Sequence, residues 1–434
     1  MKLTNNTICN DRLVNLAFGC FYLWLFRCIY TGYLVPFMGY MGYELNYYST
    51  RDILICDVLT IIPLLFYSVE RKVSNFIAIM IYLFMYVPSQ VSIQYTWGCK
   101  LQFGYMVAFF VGMILFFLAS KNKKSRTKYK TKIGSIDLSI FVIIGFIFAL
   151  VVLFVFRNNL HFVSFADVYS LREENSEINK DFRLVGYFQM WCQNLFSPLL
   201  ITVGLHNKNK RYLLLGILMS LLIYTSTGLK SSIISPFAVI GFYLFMNKYM
   251  KESIALFLPV FTILIGVIFL SSSFFSGEVA NMAYGVIFMR SIGIAAQLAP
   301  CYITVFETHT YTYYSHIRIV NKITGMYPFS NPSLGNAVWG EYTGNDSTNA
   351  NANFWLTDGT AAAGVIGVFL VSFFFYFLLV YLNKLSNAHD QATVFAMLIS
   401  IIIALTNVSV FTTLLSCGLI IAMVILRYCK LDLK

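Results

Sequence analysis

Apolar residues along this chain come in blocks of membrane-crossing length, parted by short polar stretches. The blocks fall near 13–36, 53–69, 74–95, 103–119, 136–156, 186–205, 212–228, 231–246, 254–272, 359–382, 391–407 and 409–426. About 20 residues at 1.5 Å rise cross the hydrocarbon of a bilayer. The pattern therefore predicts an all-α polytopic membrane protein of about 12 transmembrane helices, with residues 1–434 forming a single integral membrane domain. The first block reads as an anchor, because further spans follow it at once. The pair at 212–246 is short and broken by Thr227-Gly228-Leu229-Lys230-Ser231-Ser232, so it reads as two tilted spans or a re-entrant hairpin.

Charge placement orients these blocks. With the N-terminus inside, 20 of the 31 Lys and Arg residues lie on the inner side, and Lys121–Lys132 alone carries seven. Basic residues gather on the cytoplasmic side of membrane proteins and are held there by anionic lipid. Both termini are thus expected to be cytoplasmic. Two outer segments remain, 157–185 and 273–358, and the second is too long to be a structureless connection. Within it, Val279–Ala299 is apolar but holds Asn281, Arg290 and Gln297, which predicts a helix lying at the outer interface or dipping into the protein. The later part, rich in Gly, Asn and aromatics, predicts a large folded outer loop over a cavity.

Composition agrees. The chain is 58% hydrophobic and 12% charged, with mean hydropathy +0.71, against about 25% charged in soluble domains. The net charge of +12 does not point to nucleic acid, because the cations sit in short patches between apolar blocks. The nine cysteines are scattered singly and read as small apolar filler. There is no phosphate-binding or dinucleotide glycine loop and no HExxH, so nucleotide hydrolysis, nicotinamide chemistry and a built-in zinc site are not expected. We expect no cofactor and no metal.

Chemistry must then come from isolated polar residues. Lys230 lies in an outer turn among hydroxyl residues, either snorkelling to headgroups or binding phosphate. Arg290 interrupts Val286-Ile287-Phe288-Met289, where it snorkels or serves an anion with its five-donor fork. Arg318 follows a polar-aromatic patch, Tyr311-Thr312-Tyr313-Tyr314-Ser315-His316, and is a second candidate. Arg157 ends the fifth span as an interface anchor or a further phosphate ligand. Among acids, Asp358 closes Asn349–Asp358 just before Gly359 and a long apolar helix, as an N-terminal cap, a group that positions substrate hydroxyls, or both. Glu307 and His309 offer an acid and a titratable base, although their spacing keeps them off one helical face. Glu278 and Glu341 are weaker candidates. Asn353, Trp355 and Trp339 are the candidates for contact with sugars. Only Arg27 stands out as charged within a predicted span, little material for ion coupling.

The many spans with a large late outer loop, together with Asn353-Phe354-Trp355-Leu356-Thr357-Asp358-Gly359 and Gly364-Val365-Ile366-Gly367, resemble the bacterial O-antigen and capsule repeat-unit polymerases (the Wzy type). The layout covers nearly the whole chain and the local motif about 20 residues. The chain departs from an arginine-glycine pattern of some members, since none of Arg157, Arg172, Arg290 or Arg318 has a glycine eleven positions on. The resemblance implies a GT-C-like membrane glycosyltransferase in the bacterial inner membrane, with its active site facing the periplasm. A growing glycan would pass from undecaprenyl pyrophosphate to a sugar hydroxyl of an incoming lipid-linked repeat unit. Asp358, Glu307 or His309 would take the proton, and Arg290, Arg318, Lys230 and Arg157 would meet the pyrophosphate. The implied partners are undecaprenyl-pyrophosphate-linked oligosaccharides, membrane lipids and a chain-length regulator. Loss of Arg290 is expected to abolish polymer formation.

Two other readings stay open. An O-antigen ligase shares the donor and the large outer loop but takes a different acceptor. A lipid-linked oligosaccharide flippase or another transporter shares the many spans.

Overall fold

In a computed structural model, residues 5–122, 134–161, 182–275 and 277–431 are described. Among them every element is helical, and the lone β contact is a bridge between Glu70 and Ser253. Among the described residues, six helices are long and apolar enough to cross a membrane, and three shorter apolar helices accompany them. All twelve apolar blocks of the sequence are helical in whole or in part.

The chain gathers into two compact units. The first comprises Met1–Asn122, Glu252–Val380 and Leu405–Val410; the second comprises Lys123–Lys251, Tyr381–Ala404 and Phe411–Lys434. In chain order the first unit opens with α1 (Asp11–Met41), α2 (Thr50–Ile61), α3 (Val73–Leu101) and α4 (Phe103–Lys121). The second holds α5 (Leu138–Phe156), α6 (Arg183–Trp191), α7 (Ser197–His206), α8 (Lys210–Thr227) and α9 (Lys230–Tyr249). The chain returns to the first unit with α10 (Phe257–Ser271), α11 (Glu278–Thr308), α12 (Arg318–Thr324), α13 (Leu334–Thr343) and most of α14 (Trp355–Ser386). It closes with α15 (Gln391–Leu405), α16 (Val410–Leu415) and α17 (Leu419–Tyr428).

Local chemistry explains the boundaries in the second unit. The Asp137 side chain caps α5 by accepting from the Ser139 amide at 2.9 Å. That bond, and a second from the Ser139 side chain, hold the Asp137 carboxyl below the usual carboxylate range. Asn209 caps α8 in the same way, and Gly228 ends it with φ 62°. Lys230 therefore stands at the first position of α9, half-buried.

The first unit has two recognisable ends. At one, the Asn46 and Tyr47 amides donate to the Tyr95 carbonyl at 3.0 and 2.9 Å. At the other, the Ile254 amide donates to Val69 at 2.9 Å, so α10 starts there and carries Ser271 to the first end. The α11 run, 31 residues long, behaves differently. Near its start, the Tyr284 hydroxyl lies 3.1 Å from that of Ser271, and at its close Gln102 donates to Glu307. Midway, Tyr43 donates to the Gly293 carbonyl at 3.2 Å and Gln297 to that of Met41 at 2.9 Å. Although α11 is long enough to cross a membrane, it begins and ends at the same end of its unit.

Trp355 anchors the packing of this unit. It is fully buried, with Phe109 and Phe116 stacked at 5.0 and 5.7 Å, and its indole N–H donates to Ser372 at 2.9 Å. A Cβ on Gly112 would lie 2.6 Å from the Ser372 hydroxyl, so only glycine lets α4 come this close.

Candidate functional site

The site begins with a break in a helix. Six residues, Trp355–Thr360, form a π-helical turn, a form frequent at functional positions. The helix is then interrupted at Ala363 and Gly364, where Gly364 has φ 61° and ψ −141°. Side-chain-bearing residues avoid that conformation, and a Cβ there would also meet the Tyr311 hydroxyl at 2.5 Å. The two halves nearly touch: a Cβ on Gly367 would sit 2.2 Å from the Gly359 carbonyl oxygen. The break frees backbone carbonyls that an apolar surrounding leaves without water. The Thr312 and Tyr313 amides fill that need, donating to Ala361 and Ala362 at 2.8 and 3.0 Å. The segment after α11 is thereby clasped onto the broken helix.

This clasp positions His316. Tyr313 and Tyr314 follow each other with φ 46° and 64°, a left-handed pair that non-glycine residues adopt only under constraint. The turn brings His316 Nε2 to 3.3 Å from Asp358 Oδ1, with Nδ1 at 2.9 Å from the Thr312 hydroxyl. Asp358 is fully buried, and its oxygens also accept from the Ser409 hydroxyl and the Val410 amide, each at 2.7 Å. The sequence reading of Asp358 as a cap at a helix start is thus corrected: it lies inside a helical turn and holds residues 409–410. Burial, with the negative charge of Asp358 nearby, pushes the Tyr314 phenol up.

A second histidine–carboxylate pair lies in the same unit, and it is open. His309 Nε2 stands 3.3 Å from Glu341 Oε2, with the side chains 35% and 46% exposed. His309 Nδ1 lies 3.1 Å from both the Val305 carbonyl and the Thr308 hydroxyl, which hold the ring in place beside the carboxylate. Phe329 packs on the imidazole at 5.5 Å. Beside the pair is a cleft of about 200 Å³, lined by Phe329, Ser330, Asn331, Ala337, Gly340, Glu341, Gly344 and Asp346. Asn331 donates to Asp346 Oδ2 at 3.3 Å and steadies its wall. The lining is mostly polar, with an amide, a hydroxyl and two carboxylates that can hydrogen-bond a small polar group.

The remaining candidates divide. Glu307 is exposed and bound by Gln102, apart from His309. Arg290 and Arg318 are exposed and pair with no carboxylate among the described residues. The 15 residues of Ile294–Thr308 stand between Arg290 and His309, about 22 Å of helix, so the two do not serve the same atoms. Lys230 and Arg157 belong to the second unit, where Arg157 packs over Phe154 at 4.8 Å. Trp355 has no face left for a sugar, and Asn353 is buried with its side-chain oxygen accepting from the Trp355 amide at 3.1 Å. Both are therefore structural. Trp339 is 9% exposed and lies against Tyr342. Asp167, Arg172, Glu173, Glu174, Glu177, Lys180 and Asp181, like most of Lys121–Lys132, fall outside the described residues.

Sequence reasoning overlooked two features. Asp57 lies in the second apolar block and accepts from Arg27 Nη2 at 2.7 Å and Nε at 3.1 Å, while Arg27 Nη1 donates to Gln94 at 2.7 Å. A carboxylate one helix away was the signal that could have found this pair. His316 was legible only as part of a polar patch, because its partner is 42 residues distant. No group of three or more metal-ligating side chains occurs among the described residues. Comparison with family models, curated proteins and solved structures finds no match to this chain.

Proposed function

We propose that this chain is a membrane glycosyltransferase that polymerises lipid-linked oligosaccharide repeat units. It would transfer a growing glycan from undecaprenyl pyrophosphate to a sugar hydroxyl of an incoming unit. The observation that carries the reading is the half-exposed His309–Glu341 pair beside a polar cleft that offers hydroxyl, amide and carboxylate groups to a sugar's hydroxyls. In this reading the helix-rich chain lies in the bacterial inner membrane with about twelve crossings and both termini cytoplasmic, and the end of the first unit that bears the cleft faces the periplasm.

The chemistry follows from the pair. The acceptor hydroxyl loses its proton to the His309–Glu341 pair as its oxygen bonds to the anomeric carbon of the donor. The bond from that carbon to the diphosphate oxygen breaks, and the electron pair leaves with the lipid diphosphate. Arg318, an exposed guanidinium on the segment that joins His309 to the cleft, neutralises the leaving charge. The distance along α11 makes Arg290 the weaker choice for that task. The donor's own diphosphate bond supplies the driving force.

The test is to incubate the purified protein with lipid-linked repeat units. A ladder of glycans with released undecaprenyl pyrophosphate is expected. Unchanged units moved between leaflets would instead establish a flippase, and transfer to a lipid A core alone would establish a ligase.

A further inference from the structure

A different surface of the first unit carries an inference independent of the glycan reading. The α12 helix presents Ile319 and Ile323 at 69% and 81% exposure, and their i, i+4 spacing places them on one helical face. Gly325 ends the helix with φ 62°, and Met326, 53% exposed, follows directly beyond it. Arg318 and Lys322, both exposed, precede Ile319 and Ile323 by one residue each and border that face. No Asp or Glu occurs between Glu307 and Glu341, so nothing in this stretch offsets the two cations.

We propose that α12 is an interfacial anchor whose occupant is the bilayer surface. Ile319, Ile323 and Met326 enter the acyl boundary, and Arg318 and Lys322 lie among anionic phospholipid headgroups. Three large apolar side chains in water are unfavourable by roughly 25 cal/mol per Å² exposed, and a lipid surface removes that penalty. A cationic border on an apolar face complements an anionic leaflet, where each cation adds attraction. A protein partner would have to bring its own acids. The lipid needs no partner, because α3, α4 and α14 of the same unit are themselves of membrane-crossing length and apolarity. Anchoring also sets Arg318 at the depth of headgroup phosphates, the depth at which the diphosphate of any lipid-linked molecule rides.

The test places a benzophenone amino acid at Ile323, and separately at Ile319 and Thr324, in the full-length protein. Each variant is reconstituted in vesicles of phosphatidylcholine with phosphatidylglycerol and illuminated. Phospholipid adducts at 323 and 319 are expected several-fold above those at 324. Equal adducts at all three positions, adducts to protein alone, or adducts only to added undecaprenyl pyrophosphate would overturn the proposal. The double substitution Arg318→Gln with Lys322→Gln is expected to lower adduct yield at 323 in the mixed vesicles and leave it unchanged in phosphatidylcholine alone. An equal fall in both would refute the role of the headgroup charge.

Discussion

Two histidine–carboxylate pairs of the same length, 3.3 Å, lie in one unit in different surroundings. In His316–Asp358 the side chains are 7% and 0% exposed, and every carboxylate oxygen is occupied by protein donors. In His309–Glu341 both partners are more than a third exposed, and a cleft opens beside them. The closed pair joins the segment before α12 to the broken helix and to residues 409–410, whereas the open pair is the one a ligand in the cleft could reach. The same two kinds of side chain thus differ in access.

The comparison breaks most readily at the open pair. His309→Asn or Glu341→Gln should lower glycan transfer by about 10²–10⁴-fold, the range of a lost general base, with helix content by circular dichroism unchanged. An active His309→Asn enzyme would remove the pair from the mechanism. Next in size, Arg318→Ala should cut transfer by about 10²–10³-fold, while Arg290→Ala leaves more activity than Arg318→Ala. The reverse order in single-turnover assays would return the diphosphate to Arg290.

The sealed pair should answer in stability. Asp358→Ala removes the acceptor of the Val410 amide and one partner each of the Ser409 hydroxyl and His316, at a cost of about 3–5 kcal/mol. Thermal unfolding in detergent would measure it, and an unshifted midpoint would contradict the sealed role. Gly364→Ala meets both a positive φ and the Tyr311 hydroxyl, costing about 1–3 kcal/mol in the same assay.

The smallest effect concerns Tyr327, whose ring packs on Phe329 at 5.7 Å behind the open pair. Burial pushes its phenol from 10.0 to about 12. The folded state therefore binds this proton more tightly than the unfolded chain does. The stability linked to it is complete below pH 10.0 and is lost as pH rises toward about 12. Tyr327→Phe should flatten that alkaline decline in pH-dependent melts, and an unchanged slope would show that other groups carry it.

Much of the helical framework was legible because apolar blocks impose it: Val73–Leu101 and Leu138–Phe156 lie where the pattern predicts helices. The division into two units was not, since it depends on which blocks pack together rather than on what each contains. At the site, Asp358 and His309 stood out as polar residues beside apolar runs. Their partners were hidden, because His316 and Glu341 lie 42 and 32 residues away in sequence and are joined only by the folded turn and by α13. Trp355 shows the opposite failure. An aromatic in a polar stretch resembles a sugar platform, but both of its faces are filled by Phe109 and Phe116 of α4.

The interrupted helix also dictates a sequence of events during synthesis. The Thr312 and Tyr313 amides leave the ribosome before the Ala361 and Ala362 carbonyls that will receive them. The stretch bearing His309 and Glu341 thus cannot reach its final form until the next apolar block has been made and bent. A chain stopped short of that block would hold all the residues of the cleft and still lack the clasp that shapes them.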